Sequence, residues 1–115
     1  MTRGPDILNT GGHGIDFSLL HWESPNPKMR HKAVHRRGLR LRLIEVEKGY
    51  EEPSWCEHGH VIYVLEGKGI IDFDGVEQPF HEGDAVVVPS GPAHRHRLSP
   101  GSDLVRLFVV DSPQV

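Results

Sequence analysis

Four residues of this chain are of the types that bind transition metals. Cys56, His58 and His60 precede one short apolar run, and His94 follows another. Thiolate and imidazole ligands favour zinc, nickel, copper or iron over magnesium or calcium. If the two runs are strands that pack together, these side chains converge on one pocket. The sequence therefore predicts a divalent transition-metal site at Cys56, His58, His60 and His94.

Each of these residues also has an ordinary structural explanation. Most free cysteines are small buried apolar residues, so Cys56 could simply fill space in the core. His60 and His94 could hydrogen-bond to neighbours or contact a substrate without any metal. His58 would share a face with His60 on a continuous strand, whereas a break at Gly59 between them would turn His58 to solvent.

Residues near His94 are expected to divide between the pocket and solvent. His96 lies two residues beyond His94, so strand alternation predicts that it lines the same pocket farther from the centre. Arg95 and Arg97 should then point away. A separate basic stripe is interpreted as a solvated face of a sheet, because few aromatic residues alternate with it. Its members are Arg36, Arg37, Arg40 and Arg42.

The elements that must position these side chains are short strands. No stretch has a sustained helical period, and glycine or proline recurs every few residues, as is typical of all-β proteins. Asp74-Gly75 is a strong signal for a two-residue hairpin. About eight strands on a chain of this length predict a double-sheet roll, that is, a jelly-roll barrel. The segments predicted as strands after the first third of the chain are 39–46, 61–65, 70–73, 76–80, 85–88, 94–98 and 104–110.

The first third of the chain is less regular. Residues 15–20 are predicted to form a first strand at a sheet edge or against another chain, and residues 24–27 are predicted to form a loop because two prolines interrupt them. The predicted organisation is an extension over residues 1–38, with one or two edge or dimer strands, followed by a barrel domain over residues 39–112.

The overall composition narrows the class of protein. At 115 residues with a net charge of −3, the chain is expected to form one domain with no general electrostatic attraction to nucleic acid. No apolar run is long enough to cross a bilayer, so no membrane association is predicted. A single cysteine rules out a disulfide within the chain, and a reducing cytoplasm is the expected location.

The segment from Gly83 to His94 resembles the second sequence motif of small single-domain cupins. That motif runs glycine, five residues, proline, one residue, glycine, two residues and histidine. Gly83, Pro89, Gly91 and His94 match it in spacing, while Leu98 stands where the family has asparagine. The resemblance covers most of residues 39–110 and is weak before residue 39. It implies the double-stranded β-helix fold of cupins.

The first cupin motif, a pair of histidines followed by a glutamate and a glycine, fits in two registers. If His58 and His60 are the pair, Glu66 is the carboxylate, but the spacing is wrong and Phe73 replaces the closing glycine. If Gly67 is the closing glycine, His60 takes the glutamate position and Cys56 takes a histidine position. The second register is preferred because Tyr-Val-Leu-Glu-Gly, residues 63–67, is the better match.

Two main classes of function remain open on this basis, beside the less favoured alternative of a protein that binds neither metal nor ligand. One is a metal-dependent enzyme acting on a small polar molecule, for which His58 or His96 could transfer protons. The other is a non-catalytic barrel that holds a metal or a small ligand, for instance as a sensor. The altered ligand set favours the second somewhat, and the sequence does not define a reaction. A homodimer is also expected, with residues 15–20 and 39–43 at the interface.

Overall fold

The protein is an antiparallel β structure, described by a computed structural model over residues 13–111. Nine strands and two short 3-10 helices are found in this part of the chain. The helices are Phe17–Leu19 and Pro92–His94. The strands are β1 Glu23–Asn26, β2 Met29–Arg36, β3 Leu39–Glu47, β4 His60–Glu66, β5 Lys68–Phe73, β6 Val76–His81, β7 Ala85–Val88, β8 Arg97–Pro100 and β9 Leu104–Asp111.

The strands form two sheets that enclose one core. The larger sheet has the order β1-β2-β3-β9-β4-β7 and the smaller has the order β6-β5-β8. Every pairing is antiparallel, and the arrangement is the predicted jelly-roll barrel. Val64 and Val105 of the larger sheet are almost fully buried, as is Ile71 of the smaller one. No helix in the described region has the length and apolarity to cross a membrane.

The strand predictions for the barrel are largely confirmed. Six of the predicted segments match β3, β4, β5, β6, β7 and β9 within about two residues. The predicted hairpin joins β5 to β6, with Asp74 and Gly75 both at positive φ (55° and 102°) and Phe73 paired with Val76. Two consecutive residues of positive φ match the right-handed twist of the flanking strands.

The predictions for the front segment are wrong in three places. The segment predicted as a strand at residues 15–20 contains the 3-10 helix, which begins because the Asp16 carboxylate accepts a hydrogen bond from the Ser18 backbone N–H (3.0 Å). The predicted loop at 24–27 contains β1, an edge strand in which Pro25 is tolerated. The position of strand β2 was not predicted, although one or two edge strands were expected in this segment. The first twelve residues of the predicted extension and residue 112 lie outside the described residues, and the domain boundary at residue 38 stays a prediction.

The arginine stripe is the main correction to the sheet prediction. Ile44 and Val46 of β3 are buried in the core, so Arg40 and Arg42, which share their face, point into the barrel. The Arg42 side chain is only 14% exposed, and Arg36 is also buried. The leucines that alternate with these arginines lie on the outer face of the larger sheet.

Candidate metal centre

A cavity of about 540 Å³ opens between the two sheets. Its polar lining includes His60 at the start of β4 and Asp111 at the end of β9, and its apolar lining includes Ile62, Ile71 and Leu107. Concave sites with a mostly apolar wall and a few convergent polar groups are the usual places for small-molecule binding. The cavity is therefore the candidate functional site.

Three side chains that can bind a metal meet in this cavity. The ligand atoms of Cys56, His60 and His96 all lie within 4.8 Å of one another, and Cys56 Sγ is 3.3 Å from His60 Nε2. His60 and His96 are buried, with 7% and 4% of their surface exposed. Residues 56, 60 and 96 would be far apart on an extended chain, so the fold must bring their segments together to form this cluster.

Backbone pairing holds the cluster together. Cys56 and His96 form an isolated antiparallel bridge, in which each backbone N–H donates to the other residue's carbonyl at 2.9 Å. His60 is the first residue of β4, and its pairing partner on β9 is Asp111. Each side chain in the cluster is thus fixed by sheet or bridge hydrogen bonds rather than by a free loop.

Both imidazole rings have one nitrogen already engaged. His60 Nδ1–H donates to Oδ1 of Asp111 at 2.5 Å, and His96 Nδ1–H donates to the backbone carbonyl of His94 at 3.0 Å. His60 Nε2 contacts Cys56 Sγ at 3.3 Å, and the His96 ring also hydrogen-bonds to Cys56, so the second nitrogens face the other members of the cluster. Histidines that bind metals typically donate their other ring N–H to a carboxylate or a carbonyl in this way, which fixes the tautomer and the ring orientation.

The cluster is strongly polarised. Burial would raise the pKa of the Cys56 thiol, but hydrogen bonds with His60 and His96 outweigh burial and lower it to about 5. Burial would lower the pKa of His60, but hydrogen bonds with Asp111 and Cys56 raise it to about 9. Without a metal, Cys56 and His60 are therefore a thiolate and an imidazolium near neutral pH, and a bound metal would replace the proton between them.

Asp111 connects the cluster to the inward-facing arginines. Besides His60, its carboxylate pairs with Arg42, whose Nε lies 2.9 Å from Oδ2, and more distantly with Arg40, whose Nη1 lies 3.7 Å from Oδ2. Burial would raise the pKa of Asp111, but the hydrogen bond from His60 and the charge of Arg42 hold it below its usual value. Asp111 is therefore ionised while it orients His60.

The structure divides the residues predicted from the sequence. Cys56 and His60 belong to the cluster. His96, predicted to lie farther from the centre, belongs to it too. His94 is exposed at the end of the second 3-10 helix and contributes its carbonyl to the site instead of its ring. His58 borders the cavity but is exposed and lies outside the cluster.

The physical reason is that His58 and His94 are not in strands. The predicted strand at 94–98 begins only at Arg97, so the alternation assumed for His94 does not apply there. Asp111 was missed altogether. A usable signal was present, because Val105, Leu107 and Val109 alternate as inward positions of β9 and Asp111 continues the series.

Comparison with known proteins agrees with this architecture. Residues 42–111 match the Cupin domain family, and the chain therefore belongs to the cupins. It is 30% identical over 132 aligned positions to acireductone dioxygenase 1 of Vitis vinifera, an alignment that covers 93% of this chain and 70% of that protein.

Solved structures share the fold. An RmlC-like cupin from Shewanella frigidimarina superimposes with a TM-score of 0.69 at 23% identity, covering 89% of this chain and 91% of the other. FeII HppE superimposes with a TM-score of 0.70 at 16% identity, covering 90% of this chain and 62% of the other. At these identities the likeness concerns the fold alone.

Proposed function

We propose that this cupin binds a divalent transition metal through Cys56, His60 and His96 and binds or transforms a small polar molecule in the cavity beside it. The observation that carries the proposal is the orientation of the two imidazoles, each with Nδ1–H held by an acceptor and the rest of the ring turned to Cys56. One sulfur and two nitrogen donors suit zinc, iron, nickel or copper. Three protein ligands would leave a coordination position for a substrate.

The chain's own residues have separable roles in this proposal. A metal in the site would polarise a bound oxygen group or activate a small molecule. Asp111 would hold His60 in its ligating tautomer. Glu52 borders the same cavity, and burial raises the pKa of its carboxyl, so that it is a candidate for moving a proton. The likeness to a dioxygenase makes oxidation by dioxygen the first activity to assay.

Metal content gives the direct test. The protein, purified without chelator and reconstituted with zinc or with anaerobic iron, is expected to hold close to one metal per chain by mass spectrometry. Cys56→Ser, His60→Ala and His96→Ala should each lose most of it, because each removes one of three ligands. His94→Ala is the matched control and should keep it, because the His94 ring lies outside the cluster.

Two results would count against the proposal. Absence of metal from the parent protein after reconstitution with zinc, nickel, copper and anaerobic iron would rule out the proposed metal site. Equal loss in the His94 and His96 variants would instead show that the ligand set is wrong.

A metal-free thiolate site is the second candidate. It is favoured by the continuous series of contacts from Cys56 through His60 to Asp111, at 3.3 Å and 2.5 Å. A thiol with a neighbouring base oriented by a carboxylate is the arrangement of an activated nucleophile. On this reading the barrel is a thiol enzyme, or a non-catalytic binder or sensor, and the parent protein carries no metal.

We also propose that the protein is a cytoplasmic homodimer. The cytoplasmic assignment rests on the single free cysteine. The dimer is supported by the outer face of the larger sheet, where Val61, Tyr63 and Val87 are 38%, 47% and 67% exposed on neighbouring strands. A second copy of this face would cover them.

Light scattering on the eluting protein checks the oligomeric state. The parent protein is expected to have twice the chain mass, and Tyr63→Glu should shift it to the monomer. Val76→Glu should not, because Val76 lies at the hairpin of the smaller sheet and is exposed elsewhere. A monomeric parent protein would rule out this interface.

A further inference from the structure

The cavity has an excess of fixed positive charge at one end. Arg40 and Arg42 of β3 both line it, and Asp111 lies beside them. The other acidic residue of the cavity lining is Glu52, whose Oε1 accepts the Leu98 backbone N–H at 3.1 Å. Guanidinium groups remain charged at all physiological pH values. Within residues 13–111, the two guanidinium groups and the His60 imidazolium therefore face two anions, the Asp111 carboxylate and the Cys56 thiolate.

Asp111 does not satisfy Arg40. Oδ1 accepts hydrogen bonds from His60 and from Nη2 of Arg42 (3.1 Å), while Oδ2 faces Arg42 Nε at 2.9 Å. The remaining contact, with Arg40 Nη1, is 3.7 Å long, which is too long for a hydrogen bond. Among residues 13–111, Arg40 has no closer acidic partner. Its guanidinium thus has free donors at the cavity wall.

Apart from Asp111, the neighbours of Arg40 on β2 carry no negative charge. Its pairing partner on β2 is His35, which also lines the cavity, and His31 lies on the same inner face of β2. Burial, followed by the charges of Arg42 and Arg40, lowers the pKa of His31 and keeps it neutral. The Arg40 side chain is 39% exposed and its contact with Asp111 is long, so its guanidinium can still pair with a further anion.

We infer that Arg40 binds the carboxylate, or an equally compact anionic group, of the small molecule that enters this cavity. The inference rests on the proposed use of the cavity for small-molecule binding and names the class of that molecule. Asp111 contacts both Arg40 and His60, so Arg40 lies close to the Cys56–His60–His96 cluster. In a molecule whose anionic group is held by Arg40, the atoms a few bonds from that group would therefore lie beside the cluster. Arginine binds carboxylates with two parallel hydrogen bonds, which would also orient the molecule.

The test compares two probes of nearly the same shape, propionate and propionamide, which differ in charge. NMR titration of the protein as purified, and again after chelator treatment, is expected to show propionate binding and at least about tenfold weaker propionamide binding, as for a charge-assisted hydrogen bond. Arg40→Gln should weaken propionate binding about tenfold, and Arg40→Lys should weaken it less. Arg30→Gln is the control, because it removes the same charge from the opposite side of the sheet, where Arg30 pairs with Glu45.

Metal content measured on the same samples separates this inference from the proposed function. Propionate binding that depends on Arg40 supports the anion subsite, whether or not the protein carries metal. Equal propionate affinity in the parent and Arg40→Gln proteins would overturn it, even with metal bound. Absence of propionate binding to the parent protein would overturn it as well. The dispersion of the NMR spectrum verifies that each variant is folded.

Discussion

Asp111→Asn is expected to weaken metal binding about 10- to 100-fold, as is typical when the group that orients a ligating histidine is altered. It should also destabilise the fold by about 3 kcal/mol, because Arg42 would remain buried without its ionic partner. Both side chains are largely buried, with 15% of Asp111 and 14% of Arg42 exposed. Metal titration and urea unfolding measure the two effects.

Asp74→Asn is the matched control for this substitution. Asp74 pairs with Arg95 at 2.7 Å, but the two side chains are 55% and 42% exposed, so the pair contributes less than about 1 kcal/mol. Equal unfolding midpoints for the two variants would refute the structural role given to Asp111.

In the metal-free protein, the alkylation rate of Cys56 tests the role of Asp111. A merely structural role of Asp111 would leave the pH dependence of this rate unchanged. With the Cys56 pKa at about 5, alkylation by iodoacetamide should already be close to its maximal rate at about pH 6.5. Asp111→Asn replaces the carboxylate that raises the pKa of His60 with a neutral amide, so the pKa of His60 falls and the pKa of Cys56 rises. Alkylation should then slow at about pH 6.5 and match the parent protein at about pH 9.

Gly67→Ala is expected to destabilise the protein by about 4 kcal/mol or to prevent folding. Gly67 has a φ of +87°, a conformation that costs an L-residue about 1–2 kcal/mol. A Cβ at this position would also fall on the backbone carbonyl of Leu104 and within 2.7 Å of Ser102 Oγ. Because the carbonyl belongs to the backbone of β9, relieving the overlap requires moving a central strand.

Gly75→Ala separates the two contributions. Gly75 has a φ of +102° but nothing within 4 Å of an added Cβ, so only the conformational cost of about 1–2 kcal/mol applies. Urea unfolding should rank the parent protein, Gly75→Ala and Gly67→Ala in decreasing stability. A Gly67 variant as stable as the Gly75 variant would show that β4 and β9 tolerate a side chain at this point.

The site was predictable where it depends on local pattern. Cys56 and His60 were predicted as ligands because they fall on ligand positions of the first cupin motif, just before a predicted strand with clear apolar alternation. That strand is found as β4. The hairpin at Asp74 and Gly75 was predictable for the same reason, because the backbone conformation of a two-residue turn depends on the residues in it.

The assignment of His96 to the cluster depended on tertiary structure. His94 has the spacing of the second cupin motif, but it is the last residue of the short helix Pro92–His94. The residue that pairs with Cys56 is instead His96. Cys56 and His96 are brought together by a single bridge outside the named strands, although the sequence pattern predicted a strand over residues 94–98. Pairing between such distant segments depends on the closure of the whole barrel, which local preferences do not encode.

By itself, the sequence determined the β class, the positions of six strands in the barrel and the placement of leucines and arginines on opposite faces of β3. It did not determine which of those faces lies inside. Alternation of period two is the same for either choice, and a leucine face normally turns to the core. Here Ile44 and Val46 of the same strand pack in the core, which draws Arg40 and Arg42 into the cavity. The tertiary structure could accept them because Asp111, at the far end of the chain, offers a buried carboxylate to the same pocket.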